Sequence, residues 1–288
     1  MRANVVAAPA ADRATRSVRR IQPSRGLVPI DLPELWRYRE LLYFLVWRDV
    51  KARYKQTYLG PLWALLRPLI TMVVFTLIFG RLAGIESGSG VPYPLFVFAG
   101  LLAWIYVSSA ITAGSASIVS NAALVSKAYF PRILAPAAAV AAPVVDLLLS
   151  FIVLGGLFAW FGTAPDHRVV FLPGFLLLGL VLAFGISLWL ASATIRYRDI
   201  PFALPFLIQL WMFTTPVIYP VTLVPERWRW LIEVNPVTAI VEGFRWSLVG
   251  TEAPSPLALA TCGAAAIALT VSGGYYFRRA ERTLADMM

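Results

Sequence analysis

Histidine and cysteine are almost missing: His167 and Cys262 stand alone among 288 residues. A single cysteine excludes an intrachain disulfide and a thiolate cluster for zinc. A single histidine speaks against a transition-metal site and against a His-based catalytic triad. Charge is scarce too. Asp, Glu, Lys and Arg make up 14% of the chain, where soluble domains carry roughly 25%, so a water-facing surface could not be covered. The sequence contains no G-x-x-x-x-G-K-[ST] phosphate loop and no H-E-x-x-H, which removes ATP hydrolysis through that loop and a metalloprotease helix. What abounds is apolar surface, with 59% hydrophobic residues and a mean hydropathy of +0.73. A crossing helix needs about 20 apolar residues, and several such blocks exist. The fold class expected is an all-α polytopic membrane protein.

The net charge is +10, from 25 Lys and Arg against 15 Asp and Glu. The basic residues lie between apolar blocks, where they set topology, so no nucleic-acid partner is expected. Residues 1–30 carry Arg13, Arg16, Arg19, Arg20 and Arg25 against Asp12 alone. No apolar core follows them, so a secretory signal is not indicated; a disordered basic cytoplasmic tail is expected, with a transit peptide as the alternative. Four regions are expected: that tail, an amphipathic interfacial helix at 31–58, a six-span domain at 59–279, and a short cytoplasmic tail at 280–288.

Residues 34–55 read as a helix with Arg37, Glu40, Arg48, Lys51 and Lys55 on one side and Trp36, Leu42, Tyr43, Val46, Trp47, Val50 and Tyr54 on the other. Such a helix lies in a membrane interface; packing on protein is the plainer alternative. Six apolar blocks follow, at about 62–79, 94–116, 135–161, 171–194, 201–219 and 257–277. Lys127, Arg132, Arg196, Arg198, Arg278, Arg279 and Arg282 share one side with the N-terminal segment. Arg81, Arg168, Arg227, Arg229 and Arg245 lie opposite, diluted by Glu226, Glu233, Glu242 and Glu252. Both termini are thereby expected in the cytoplasm. Residues 221–256 are too charged to span. Asn235-Pro236 reads as a cap followed by proline at the first helical position. The helix predicted after it, of about 14 residues, reaches about 21 Å, short of a roughly 30 Å hydrocarbon core. It is expected to be re-entrant or to lie at the outer surface, where Trp228, Trp230 and Trp246 suit the boundary.

Chemistry-bearing residues are few. Asp146 is the acidic residue well inside a span, to be read as a proton or ion site or as a structural hydrogen-bond partner for Ser150 or a neighbouring helix. The fifth block carries Gln209, Thr214, Thr215 and Pro216 beside Trp211, Phe213 and Tyr219. Amides and hydroxyls at membrane depth face protein or a wet cavity, so this block lines a pore or is a kinked, packed helix. The loop at 117–132 is expected to hold a short helix near 121–128, presenting Lys127, Tyr129, Phe130 and Arg132 to a soluble partner; a plain turn is the alternative.

Several short stretches resemble ABC-2 type exporter permeases, particularly the polysaccharide branch that exports O-antigen, capsule and teichoic acid chains. They are YKQTYLGPLW at 54–63 with Arg67-Pro68, Asn121 through Lys127 to Phe130-Pro131, and RYRD at 196–199. TPVIYP at 215–220 and Asn235-Pro236 with Arg245 complete the set, which covers about 35–279. The long N-terminal tail departs from that pattern. The resemblance implies a homodimeric permease in the bacterial cytoplasmic (inner) membrane, each copy paired with a separate nucleotide-binding subunit that holds the ATP and Mg, with no cofactor on this chain. It implies ATPase-coupling residues Arg48, Lys51, Arg53, Lys55, Asn121, Lys127, Phe130 and Arg132. An outer gate would include Trp228, Trp230, Asn235, Pro236, Arg245 and Trp246. The implied cargo is a glycan on an undecaprenyl-type diphosphate lipid, moving past a channel set of Trp104, Tyr106, Gln209, Trp211, Phe213, Thr215 and Tyr219. Arg48, Lys51, Arg53 and Lys55 are also candidates for attracting the diphosphate.

Three rivals stand beside this reading. An ABC-2 exporter of a drug, haem or lipid shares the six-span plan. An ion-coupled carrier using Asp146 would call for inverted repeats, and no convincing one is visible. A membrane enzyme would need paired acids, which Asp31, Glu34, Asp199 and Glu226 do not supply.

Overall fold

The computed structural model describes residues 32–55, 58–122, 124, 130–197 and 199–287, and the regular elements among them are all helices. The chain opens with α1 (Leu32–Arg37) and α2 (Arg39–Tyr54), so the single helix expected at 34–55 is broken at Tyr38. The aromatic side of α2 stays outside, with Tyr43, Phe44 and Trp47 exposed, as is Trp36 of α1. The side that buries is led by Leu45, absent from the aromatic stripe read above, with Leu41, Leu42 and Val46 beside it. Their partners are Phe130, Leu134 and Ala138 at the foot of the third span. The helix therefore has two apolar sides, one for protein and one for the boundary.

Among the described residues, five helices are long and apolar enough to cross a membrane. The first is α3 (Leu62–Phe75), which runs without a break into a π-helix, Thr76–Leu82. The second is α4 (Tyr93–Ser120). The third is α5 (Leu134–Ala141) followed by α6 (Pro143–Phe161), jointed where proline removes a backbone donor. The fourth is α7 (Leu172–Arg196), entered through a 3-10 turn at His167–Phe171. The last is α11 (Pro256–Met287). The most apolar stretch of α4 is 78% buried and that of the first span 11%, so α4 is the central post and α3 a peripheral one. It packs on α3, α5, α6, α7, α8 and α10.

The fifth block expected to span, 201–219, holds instead a shorter apolar helix, α8 (Ile200–Thr214), of 15 residues. That is about 22 Å of helix, too short to traverse hydrocarbon alone. The path is completed by 215–218, which is not helical and is buried throughout. Irregular backbone survives at membrane depth only inside protein. Before the last span come α9 (Glu226–Val234) and α10 (Pro236–Val249). Asn235 caps α10, its side chain accepting from the Val237 amide at 3.2 Å, as the Asn-Pro signal predicts. On α9, Trp228 and Trp230 are exposed, whereas α10 is sunk into the core, with Val237, Ala239, Ile240, Val241 and Phe244 fully buried. The re-entrant reading thus fits α10 and the surface reading fits α9.

Two small residues set the tightest helix pair. A Cβ on Gly185 of α7 would meet backbone of α11 at 2.7 Å, and one on Gly273 would meet the Gly185 carbonyl at 2.9 Å. Close backbone approach of this kind substitutes for the hydrophobic drive that lipid removes.

Candidate functional site

Side-chain chemistry collects at the two ends of the bundle. At the end where α2 lies, α2 is stitched to the spans by three contacts. Arg48 Nη2 donates to Asn121 Oδ1 at 2.6 Å and also pairs with Asp49 at 2.7 Å. Arg53 Nη1 donates to Asp146 Oδ2 at 2.5 Å, and the Tyr54 hydroxyl donates to the other oxygen, Oδ1. Burial, then the hydrogen bond to and charge of Asp146, push the Tyr54 hydroxyl well above the usual phenol range. Both members of the Arg53–Asp146 pair stay partly wet, with side chains 29% and 27% exposed.

Of the two readings of Asp146, the geometry matches the structural partner on a neighbouring helix. Ser150 does bond nearby, but to the Asp146 carbonyl at 2.8 Å rather than to the carboxylate. Phe130 is buried under Leu45, and Arg132 reaches Glu281 near the end of α11, its Nη1 donating to the carbonyl at 3.1 Å. Among the described basic coupling candidates Lys51 and Lys55 are exposed, with the Lys51 ammonium 5.4 Å from the Trp47 ring. Lys127 and most of the short helix expected near 121–128 lie outside the described residues.

At the opposite end, Arg245 of α10 is 2% exposed. Its Nε donates to the Phe96 carbonyl at 3.1 Å and its Nη1 to the Pro216 carbonyl at 2.6 Å, while Nη2 donates to the Val217 carbonyl. Its guanidinium carbon lies 3.7 Å from the Phe96 ring centroid, and Gly100 leaves the room, since a Cβ there would sit 2.6 Å from Nη2. Tyr93 adds a bond to the Ile218 carbonyl at 2.7 Å. Together these satisfy the carbonyls that the break after α8 frees. Burial lowers the Arg245 pKa to about 9, with Glu242 opposing. Burial likewise raises Glu242 to about 7, Arg245 opposing and Glu233 and Glu252 adding to the rise.

The channel candidates divide. Trp104 and Tyr106 are buried within α4. Trp211 meets Trp104 edge-on at 5.9 Å and donates from Nε1 to Asn235 Oδ1 at 3.0 Å, and Asn235 Nδ2 donates to Thr215 Oγ1 at 2.8 Å. These five residues brace the protomer's interior. Gln209 and Phe213 are exposed on α8, and Tyr219 is half-buried, its hydroxyl 3.3 Å from the Phe213 carbonyl. Among the gate candidates, Trp228 and Trp230 are exposed, Asn235 and Pro236 form the α9–α10 joint, and Trp246 packs on Phe171 at 5.3 Å beside Arg168. Sequence reasoning missed the bonding roles of Tyr54 and Tyr93; an intramembrane acid demanding a donor was the one signal for the former.

A family model described as ABC-2 type transporter matches residues 40–249, a stretch that contains both arginine junctions. The chain belongs to the ABC-2 type transporter family. ABC-2 permeases are membrane-embedded transport components, so this is a multi-pass membrane protein, not itself the enzyme, and an ABC ATPase partner is implied. The chain is 30% identical over 256 residues to the O-antigen export system permease protein RfbA of Myxococcus xanthus, covering 88% of this chain and 97% of that protein. A protein of the same name from Klebsiella pneumoniae is 27% identical over 207 residues, 72% of this chain and 79% of its own. The inner membrane transport permease YadH of Escherichia coli K12 is 26% identical over 225 residues, 73% and 85%.

Proposed function

We propose that this ABC-2 permease exports a lipid-linked polysaccharide of O-antigen type across the cytoplasmic membrane, as a homodimer driven by a separate ATPase that supplies ATP and Mg. The observation that carries the cargo assignment is the 30% identity to an O-antigen export permease over 97% of that protein. Both termini are cytoplasmic in this reading. The ATPase presses on α2, and the bonds from α2 to Asn121 and Asp146 pass the displacement to the second and third spans as a rigid-body movement.

The homodimer is supported by α8. Gln209 sits about 14 Å along that helix, exposed, and its amide has no partner among the described residues. Hydrocarbon cannot satisfy an amide, so a second copy or a hydrated path beside it must. Gln209, Phe213 and Tyr219 are the channel residues this geometry favours, and the α9–α10 pair is the outer gate.

The test is reconstitution with an ABC ATPase that co-purifies with the permease. Lipid-linked glycan should raise ATP hydrolysis several-fold and be carried into the vesicle lumen. Uphill transport by the permease with no second chain would overturn the reading. A second reading, an exporter of a drug or lipid, draws on the relationship to YadH, whose name specifies no cargo; it requires stimulation by such a compound and none by glycan lipid.

A further inference from the structure

A cavity of about 370 Å³ opens between α2, α3, α4 and α6, on the side of the bundle where Arg53 meets Asp146. Its size lies within the span of about 300–1,000 Å³ typical of small-ligand sites. The rim is cationic. Arg53 and Arg67 face one carboxylate, Asp146, across it, which leaves one positive charge uncompensated. That charge belongs to Arg67, whose guanidinium has no ion pair or hydrogen bond among the described residues. Arg67 lies five residues into the first span, about 8 Å along the helix, from where its long side chain can snorkel toward the lipid phosphates.

Further in, the wall turns apolar through Leu102, Ile105 and Leu147. Hydroxyls of Ser109, Ser150 and Tyr106 also line it, and the buried Tyr106 oxygen has no partner among the described residues. Trp63, 55% exposed on α3, also lines the cavity, so the mouth lies at the surface of the chain beside the first span rather than inside the bundle. A cationic rim over an apolar floor, entered from the bilayer, is complementary to an amphiphile with an anionic head.

We propose that this cavity binds the phosphate-bearing headgroup of an isoprenoid lipid, with Arg67 as its main anion ligand and the first chain units against Leu102, Ile105 and Leu147. The proposal rests on the export reading above for the isoprenoid, and on the cavity for the phosphate. An anion seated there competes with Asp146 for Arg53. Occupancy therefore loosens the tie between α2 and the third span, which couples loading of the site to the helix expected to feel the ATPase.

The experiment uses the full-length permease in phosphatidylcholine nanodiscs with a diazirine-bearing isoprenoid diphosphate, and inorganic pyrophosphate as a soluble competitor. Crosslinks are expected at peptides containing Leu102 to Ser109 and Leu147. Arg67→Gln, an exposed site that leaves packing intact, should weaken labelling about tenfold, and Arg67→Lys should retain it within about threefold, because phosphate accepts a point charge. Unchanged labelling in Arg67→Gln, or crosslinks elsewhere, would overturn the site. Displacement by pyrophosphate at the same concentration as unlabelled lipid would overturn the lipid assignment in favour of a free-phosphate site. Glycan-stimulated hydrolysis, measured in parallel, separates the two levels: labelling at the cavity without stimulation removes the export reading and keeps the site, while stimulation without labelling there does the reverse.

Discussion

Arg53 and Arg245 each hold one helix to another, and they are built in opposite ways. Arg245 is sealed, bonded to carbonyls of two other elements and seated on a ring. No carboxylate bonds it among the described residues, so no competing anion and no protonation of a partner releases it. Arg53 is partly wet and bonded to a single carboxylate, which an incoming anion can replace. A buried charge satisfied by backbone acts as a fixed post; a half-exposed ion pair acts as a latch. The end of the bundle that holds Arg245 is thereby fixed and the end that holds Arg53 is releasable, the asymmetry a machine driven from one side requires.

Substitutions can break or sharpen this contrast. Arg245→Met strands three buried carbonyls and should cost about 3–5 kcal/mol, lowering the Tm in detergent by about 10 °C; Arg245→Lys should recover little, lacking the fork. Gly100→Ala drives a Cβ into the guanidinium and should cost about 1–3 kcal/mol by the same assay. Glu242 gives the Arg245 end a pH signature. Its native pKa of about 7 stands above the ordinary 4.5, so the folded state binds the proton more tightly. The stability it contributes is full below the ordinary value and lost as pH rises through 7. Glu242→Gln should flatten that profile and raise stability at pH 8 by roughly 1–2 kcal/mol.

At the other end, Asp146→Asn should cost about 1 kcal/mol or less, yet abolish most substrate stimulation of the ATPase. A stability loss matching that of Arg245→Met would dissolve the distinction between post and latch. Smallest is Lys51→Gln with Lys55→Gln, expected to change Tm by under about 2 °C while weakening co-purification with the ATPase.

The long apolar blocks made the crossings legible, because length and hydropathy alone decide whether a helix can span. The Asn235 cap was legible for an equally local reason. Residue pairing was not. Arg53 and Asp146 lie 93 positions apart, and nothing in either neighbourhood names the other. The burial of Trp104 and Tyr106 was hidden because α4 is apolar all round and carries no directional stripe. Arg245 read as a topology-setting charge and a gate candidate, since a sequence cannot display the freed carbonyls of Pro216 and Val217 that draw it inward. Leu45 escaped notice because the aromatics of α2 traced a more conspicuous side.

The brevity of α8 reaches beyond the protein itself. Left uncovered in a hydrocarbon layer of roughly 30 Å, a helix of about 22 Å would oblige the neighbouring leaflets to pinch, at fractions of a kcal/mol per ångström. Any partner that covers α8 relaxes that deformation, so bilayer thickness itself becomes a term in assembly: thicker membranes press copies together, thinner ones let them part.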